Sequence, residues 1–554
     1  MSSDHNHPPH TAGHQLKTAH VGLLALVGMY FAEICSGAFG IEEMIPQAGP
    51  GMSLIILVAL SVVWAAPLSF ICAELGSARP GEGGVLIWIK EALGEFWYVV
   101  ALFGMLILGS LAEAVYAVLC VSYLGELLPL TPLAAWILKL LIVGFFFLLN
   151  VKGVREVGLF STVLTAAILL AFAAVAVVGL MNWNQNPMEP FMADPDASLF
   201  HSMGAGLSVG IYMYCGFEQI SMMSGEIKDA PRLIPKALMI SIPIIAATYI
   251  LPTLAGLVSI GPWQEWTTEP GGLGYASVLI ENGIPAGGVL FLIVAVIAQL
   301  AAYNVSLGSA ARAVYLLAEE HFCPHCVAGV SKRFGTPQNA LLLTTLVIVV
   351  LIPFDFTFLV TLEVFCVVLI YALMSISSMI LKRRIPAEEF TFQFPGGRRM
   401  HTLSCFMILT ICVLVTVVSG VDYFFGGLCA ALVMPLLYLI CKKRFHGCSV
   451  KQPELYPLDP RTGLGYGDYR RIGCYYLGAG GYSLLAALFL VWYEGGLENG
   501  AAYYLETYGT GLFSNMELML NLIVLMGLTA LAAGGLLLLH QRKLNRGLIQ
   551  PSAQ

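Results

Sequence analysis

Long apolar stretches alternate with short polar stretches from Gly22 to His540. Each is long enough to cross the roughly 30 Å hydrocarbon core of a bilayer as a helix. The pattern therefore predicts an all-α polytopic membrane protein. The predicted core spans lie near 22–47, 53–75, 97–128, 133–150, 156–181, 200–225, 236–260, 286–318, 339–354, 357–381, 402–420 and 422–441, and two further spans lie near 475–493 and 516–540.

These spans divide the chain into five parts. A polar, histidine-rich segment at 1–20 is predicted to be a disordered cytoplasmic N-terminus. We do not expect a cleavable signal peptide, because the apolar stretch that follows is too long for one. A twelve-helix core at 21–441 follows, then a cytoplasmic linker at 442–474. Two extra transmembrane helices at 475–541 and a cytoplasmic tail at 542–554 complete the chain.

Charge sets the predicted orientation. With the N-terminus inside, all of the 27 Lys and Arg except Lys139 fall on the cytoplasmic side or at cytoplasmic helix ends. The opposite loops carry acidic residues such as Glu189, Glu265 and Glu269. This asymmetry follows the positive-inside rule and supports an even helix count. We therefore expect a multi-pass protein of the cytoplasmic membrane with both termini in the cytoplasm.

Composition excludes several classes of function. Hydrophobic residues make up 58% of the 554 residues and charged residues 11%, against about a quarter charged in soluble domains. A net charge of −7 offers no basic patch for nucleic acid. The sequence shows no hydrolase elbow or phosphate loop, so no catalytic residue is predicted. The single Cys323-Pro-His-Cys326 pair lacks a second pair, so no metal site or cofactor is predicted either.

Two of the predicted helices are interrupted by glycine and polar residues at membrane depth. The first reads Glu33-Ile-Cys-Ser-Gly-Ala-Phe-Gly-Ile-Glu-Glu43, and the sixth reads Tyr214-Cys-Gly-Phe-Glu218 followed by Ser221 and Ser224-Gly-Glu226. Unwound backbone is tolerated in a membrane where it lines a cavity, and its freed N–H and C=O groups can bind a substrate. Glycines that only permit close helix packing would explain one such helix. Two interruptions five helices apart favour a binding site.

Several motifs in order resemble the amino acid–polyamine–organocation superfamily of transporters. They are the first break, the stretch from Cys72 to Trp88 with its Gly83-Gly84 pair, the sequence Ser224-Gly-Glu-Ile-Lys-Asp-Ala-Pro-Arg-Leu-Ile-Pro-Lys-Ala237, Arg333-Phe-Gly-Thr-Pro337 and Phe392-Gln-Phe-Pro-Gly396. The resemblance covers about 20–441. It implies the leucine-transporter-type fold, with two inverted five-helix repeats at about 21–182 and 199–382, two appended core helices and two C-terminal helices in addition.

The two breaks supply the predicted substrate site. Backbone at Ser36, Gly37, Ala38 and Gly40, beside Phe39, is expected to bind a substrate carboxylate where there is one. Tyr214, Cys215 and Phe217 are expected on the amine side, together with Glu218. By resemblance, Phe217 or a neighbour acts as the aromatic gate over the substrate.

Other details resemble polyamine transporters in particular. These are Phe39-Gly-Ile-Glu42 in the first helix and Gly109-Ser-Leu-Ala-Glu-Ala-Val-Tyr116 in the third, which places Glu113 in the site. Glu33, Glu42, Glu43, Glu113, Glu218 and Glu363 all lie near membrane depth, where only Lys139 and Arg312 could offset them. Acids without basic partners must carry protons or meet cations. A cationic amine or amino acid is therefore the favoured substrate.

Coupling and function retain alternatives. Proton-driven relatives have a lysine on helix five in place of a sodium ion, but Ile168 occupies the corresponding position here. A carboxylate proton relay is the preferred coupling, with sodium coupling and substrate exchange open. A neutral or acidic amino acid permease or antiporter is the alternative to a cation carrier, and a transporter-like nutrient sensor is an alternative of another class. The oligomeric state is left open.

Overall fold

The computed structural model describes residues 22–546, with gaps at 36, 82, 153–157, 196–198, 220, 222–226, 332 and 510. The predicted N-terminal tail at 1–20 and the motif at Ser224–Glu226 lie outside the described residues. Helices dominate the described part, and the one named sheet there is a small hairpin of β1, Leu458–Asp459, and β2, Leu464–Gly465. The helices are α1 Leu23–Tyr30, α2 Met44–Ala48, α3 Pro50–Leu60, α4 Ala66–Ala78, α5 Gly84–Leu93, α6 Glu95–Leu127, α7 Pro132–Lys152, α8 Gly158–Met181, α9 Leu199–Met213, α10 Ala230–Ser259, α11 Tyr275–Glu281, α12 Pro285–Glu319, α13 Gln338–Leu351, α14 Phe356–Arg384, α15 Gly397–Val418, α16 Val421–Phe445, α17 Asp468–Tyr493, α18 Leu497–Tyr508 and α19 Met516–Asn545.

Length and composition make this a polytopic membrane protein. Eleven helical stretches among the described residues are long and apolar enough to cross a bilayer. One of them, Pro50–Ala78, joins α3 to α4 through the π-helical turn Ser61–Ala65. The apolar segments Leu23–Cys35 and Gln338–Leu351 are shorter. The first is short because the predicted break at 36–40 ends it, as the glycines and acids of that stretch indicate.

The helix ends follow local chemistry more than hydropathy. Asp355 begins α14 as a cap, with its carboxylate accepting from the Phe358 N–H at 2.9 Å. α17 begins at Asp468, earlier than the predicted span at 475. Hydropathy marks only the apolar part of a helix, whereas α17 starts with the polar turn Asp468–Arg471 outside that part.

The core packs around α6. This helix contacts α12 and α14 along much of its length. A Cβ added to Gly109 of α6 would lie 2.7 Å from the Cβ of Ala310 in α12. Real side chains do not approach that closely, so a glycine is needed for these two helices to touch. The tight α6–α12 contact forms one wall of the cavity described below.

The bundle has two chemically different ends. The basic end carries Lys382–Arg384 and Lys442–Arg444 and is the end predicted to be cytoplasmic. At the opposite, acidic end, the loop after α8 contacts the start of the second span, where the Met52 N–H donates to the Phe191 carbonyl at 2.8 Å. The names basic end and acidic end are used below.

A buried ion pair joins α6 to α16 at the basic end. Lys442 Nζ lies 2.6 Å from Glu95 Oε2, and Glu95 Oε1 also accepts from the Cys448 N–H at 2.9 Å. Lys442 is fully buried and Glu95 is 5% exposed. Breaking such a pair leaves an uncompensated charge in a buried site.

We expect Lys442→Met to lower the thermal unfolding midpoint of the purified protein strongly, at a cost of about 3–5 kcal/mol. Its exposed neighbour supplies the control, because Lys443→Met removes the same charge from the surface and should cost less than about 1 kcal/mol. Unfolding midpoints measured in detergent compare the two variants directly. Equal midpoints would contradict the burial of this pair.

The two C-terminal helices form a closely packed pair. A Cβ on Gly473 of α17 would lie 3.0 Å from the Gly534 carbonyl oxygen of α19, and one on Gly480 would lie 2.6 Å from the Gly527 carbonyl oxygen. Small residues at such positions let helix backbones approach within a membrane. The pair contacts α15 and α16, on a side of the bundle that does not line the candidate site.

Candidate functional site

The first break separates α1 from α2. α1 continues into a π-helical turn that ends at Cys35, and regular structure resumes at Ile41. Gly37 and Gly40 have φ angles of +107° and +97°, a region that favours glycine. Predicted site residue Ser36 lies outside the described residues. Among the described residues, the predicted unwinding of the first span is confirmed at 37–40.

The second break follows α9. That helix ends at Met213, and Gly216 adopts a φ of +98°. A Cβ on Gly216 would lie 3.5 Å from the carbonyl oxygen of Glu33, so the two breaks lie against each other. The sequence predicts both interruptions, and the structure brings them together.

Aromatic side chains donate hydrogen bonds to backbone carbonyl oxygens that are freed at the breaks. The Tyr249 hydroxyl, from α10, lies 3.1 Å from the Ile34 carbonyl oxygen and 2.7 Å from that of Met213. The Trp64 Nε1–H donates to the Tyr214 carbonyl at 3.2 Å. Tyr249 therefore bridges the two breaks with one hydroxyl. Buried backbone groups need such partners, so these contacts hold the unwound segments in place.

A cavity of about 70 Å³ lies beside the breaks, which is room for several water molecules. Its lining includes Glu33, Glu218 and Glu363, and no Lys or Arg is present among the described lining residues. The remaining lining is aromatic, apolar or neutral and polar, and comprises Ile34, Cys35, Phe39, Leu108, Gly109, Ala112, Tyr116, Leu119, Tyr212, Met213, Cys215, Gly216, Gln219, Gln299, Ser306 and Val367.

Several buried acceptors in and beside the cavity have no hydrogen-bond partner among the described residues. They are both carboxylate oxygens of Glu113, Oε2 of Glu363 and Oε1 of Gln299. Glu113 is fully buried and lies within electrostatic range of Glu33 and Glu363. Ser306 lies next to it but outside hydrogen-bond geometry. Unpaired buried acceptors cost free energy, and N–H donors from a ligand would satisfy them.

Glu218 is held by the second break. Tyr371 of α14 donates its hydroxyl hydrogen to Glu218 Oε2 at 2.7 Å and accepts from the Gly216 N–H at 2.9 Å. Glu218 is 2% exposed. The chain Gly216–Tyr371–Glu218 thus orients this carboxylate and spans the break.

The Glu42 carboxylate accepts a hydrogen bond from the backbone of the first break. Its Oε2 accepts from the Gly40 N–H at 2.8 Å, and its Oε1 accepts from the Tyr123 hydroxyl at 3.2 Å. Glu42 is 1% exposed. The Gly40 N–H, predicted to bind a substrate carboxylate, is therefore already paired with a carboxylate of the chain itself.

Aromatic rings close the cavity toward the acidic end. The Phe39 ring lies 5.3 Å from that of Tyr123, 5.0 Å from that of Phe172 and 5.8 Å from that of Phe291. Such tilted and edge-on contacts are the favoured aromatic geometries. Phe39 also lines the cavity, so it forms the layer between the cavity and the acidic end.

The predicted site residues fall into three groups. Phe39, Cys215 and Glu218 line the cavity, with Glu113 beside it. Gly37, Ala38 and Gly40 shape the first break without lining the cavity. Tyr214 and Phe217 are buried outside the lining, and Tyr214 donates its hydroxyl hydrogen to the Leu57 carbonyl. Phe39 lies in the aromatic layer at the cavity, whereas Phe217 does not line it, and the gate that the resemblance implies at Phe217 or a neighbour stays a prediction.

Sequence reasoning did not select the polar groups that α12 contributes. Gln299 and Ser306 both line the cavity. They are seven residues apart (306 − 299), which is two turns of a helix, so they share a face. That spacing in an otherwise apolar span is the signal that could have found them. Glu33 and Glu363 are predicted from sequence as acids at membrane depth, and both line the cavity.

Sequence comparisons with known proteins show the family to which the chain belongs. The family model described as "Amino acid permease" matches residues 21–426, which ends within α16. The chain is 28% identical over 418 residues to a protein of Arabidopsis thaliana named "Probable polyamine transporter", covering 73% of this chain and 80% of the relative. It is 26% identical over 463 residues to polyamine transporter PUT1 of Oryza sativa subsp. japonica, covering 79% and 83%.

A third relative is polyamine transporter RMV1 of Arabidopsis thaliana, 24% identical over 427 residues, with 74% of this chain and 82% of the relative covered. The resemblance to the amino acid–polyamine–organocation superfamily is thereby confirmed, since the family model covers most of the chain. The chain belongs to the amino acid permease family.

Proposed function

We propose that this protein is a secondary active transporter of cationic amines, polyamines or cationic amino acids, that works by alternating access. The observation that carries the proposal is the charge of the cavity. Three carboxylates line it, and Glu113 lies beside them without a partner among the described residues. A charged group at the centre of a membrane costs roughly 3 kcal/mol. Ammonium groups of a substrate would offset that cost.

The named relatives support the same substrate class. Three of them are named as polyamine transporters, one of these as a probable one. A polyamine carries positive charge at both ends, so it needs acids at separated positions. Glu218, at the second break, and Glu113, on α6, supply two positions on different walls of the site.

The two apposed breaks support the leucine-transporter-type architecture. We propose inverted repeats at about 21–182 and 199–382, with the first and sixth spans as symmetry mates. We also propose that the basic end faces the cytoplasm with both termini, in the cytoplasmic membrane. The hydrogen bonds that Tyr249, Tyr371 and Glu42 make at the breaks are then the ones that exchange partners as the site opens to either side.

Proton coupling is the proposed mode of energy transfer. The acids of the cavity can carry protons when no substrate is bound. The fifth span is α8, and the position where proton-driven relatives have a lysine is Ile168. Its side chain is buried, at 1% exposure. One turn earlier, the Thr165 hydroxyl donates to the Gly28 carbonyl at 3.2 Å. Sodium coupling and exchange are the alternatives that the transport assay separates.

Uptake of labelled putrescine into proteoliposomes tests the function. We expect uptake driven by an inside-alkaline, outside-acidic pH gradient, and counterflow when the lumen is preloaded with unlabelled putrescine. Ornithine and leucine are measured beside it, with a sodium gradient as the alternative driving force. Uptake of leucine without either cation would favour the amino acid permease alternative. Binding without counterflow would favour a sensor.

A further inference from the structure

Glu42 occupies the place that the first helix break offers to an anion. Freed N–H groups at a broken helix can hold a substrate carboxylate in transporters of this architecture. Here the Gly40 N–H donates to Glu42 Oε2 at 2.8 Å, and the Tyr123 hydroxyl donates to Oε1 at 3.2 Å. The chain therefore fills a carboxylate-binding position with its own carboxylate.

This position lies beyond the substrate cavity toward the acidic end, behind the Phe39 ring. Tyr116 and Leu119 of α6 line the cavity, and Tyr123 lies one helical turn beyond Leu119. The Phe39 ring lines the cavity on one side and contacts the Tyr123 ring at 5.3 Å on the other. A substrate carboxylate directed toward the first break would reach Glu42 once the Phe39 ring, which separates the two, moves aside.

We propose that Glu42 is a specificity-determining residue, an intramolecular carboxylate that makes the site select amines without a carboxylate over α-amino acids. The proposal rests on the proposed transport of cationic amines. An α-amino acid would have to bring its carboxylate against a buried carboxylate whose donors are already used. Repulsion and unpaired oxygens then act against the wrong substrate. A diamine brings only N–H donors, which the acids of the cavity accept.

The adjacent Glu43 has a different role and provides a matched control. Its Oε1 accepts from the Thr267 hydroxyl at 2.7 Å, from the Thr268 N–H at 2.6 Å and from the Thr268 hydroxyl at 2.7 Å. These contacts attach the first break to the loop before α11. Removing Glu43 therefore tests loss of a nearby half-buried carboxylate without opening the Gly40 and Tyr123 donors.

The experiment compares substrates that differ only by a carboxylate. Uptake of putrescine against ornithine, and of cadaverine against lysine, is measured in proteoliposomes for the parent, Glu42→Ala, Glu42→Ser and Glu43→Ala. We expect the parent to prefer the diamine of each pair. Both Glu42 variants should raise the ratio of amino acid to diamine uptake by about tenfold or more, because the vacated donors gain a substrate carboxylate.

A purely structural cap would lower all four uptakes together and leave the ratios unchanged, and that result would overturn the proposal. The same shift in Glu43→Ala would overturn it too. Should Glu42→Ala fail to fold, Glu42→Ser decides alone, since its short hydroxyl side chain keeps a polar group at the break without filling the place of the carboxylate. A parent that moves none of the four compounds contradicts the proposed function instead. A parent that moves ornithine as well as putrescine contradicts only the role of Glu42.

Discussion

Putrescine uptake by the Glu113→Gln variant should fall by about one to two orders of magnitude. Both Glu113 oxygens are buried and have no hydrogen-bond partner among the described residues. A charge-assisted hydrogen bond to an ammonium group contributes about 1.5–3 kcal/mol, and the amide of glutamine keeps the shape while removing the charge. Transport assays in proteoliposomes over a range of putrescine concentrations measure the loss.

The same variant should leave transport of leucine, where the parent shows any, nearly unchanged, because a neutral amino acid presents only one ammonium group. Glu218→Gln should reduce uptake of every substrate, since that acid is bonded to Tyr371 across the second break. Glu126→Gln, at an exposed position of the same helix α6, is the matched control. Unaltered putrescine uptake by Glu113→Gln would make Glu113 a protonated helix contact and would contradict the cationic site.

Hydropathy and charge predict most of the fold because the bilayer imposes a simple constraint. A span must be apolar and long, and its backbone must be paired internally. Glycines and acids within the first and sixth spans violate that pattern, so the breaks at Gly37–Gly40 and at Gly216 could be predicted from sequence. The family resemblance then orders the helices around them.

The partners of the unwound backbone could not be predicted in the same way. Tyr249, Tyr371 and Trp64 reach the breaks from three other helices. Each looks like an ordinary aromatic residue in an apolar span. Which face of a helix points to the cavity depends on packing angles that a single sequence does not contain. For the same reason Phe217, next to the glycine of the break, is buried outside the lining, while Phe39 lines it.

Glu42 shows how a correct signal can lead to an incomplete prediction. Its place among the membrane-depth acids is clear from sequence, and so is the freed N–H of Gly40. The sequence predicts that this N–H binds a substrate carboxylate and that the acid carries a proton or meets a cation. Instead they meet each other, because two residues of separation within a break bring a long side chain back to the backbone. An intramolecular pair of this kind changes the substrate that the break can accept.

Replacing Gly37 with leucine should abolish putrescine uptake. The backbone at Gly37 has a φ of +107°, which side chains with a Cβ rarely adopt. An added Cβ would lie 2.3 Å from Cε2 of Phe39 and 2.6 Å from Cε2 of Phe172, so both rings must move. Phe39 separates the cavity from the acidic end, and its displacement would fill the space that the substrate needs.

The measurement pairs uptake with a test of folding. Gly37→Leu should give uptake at the level of empty liposomes while the purified protein stays monodisperse in detergent, because α1 and α2 still pack on either side of the break. Gly144→Leu is the control, since a Cβ at that position of α7 meets no atom within 4 Å, and it should transport normally. Normal uptake by Gly37→Leu would place the substrate path away from the first break. Loss of uptake in both variants would show only that large residues disturb insertion, and the proposed path would then have no support from this test.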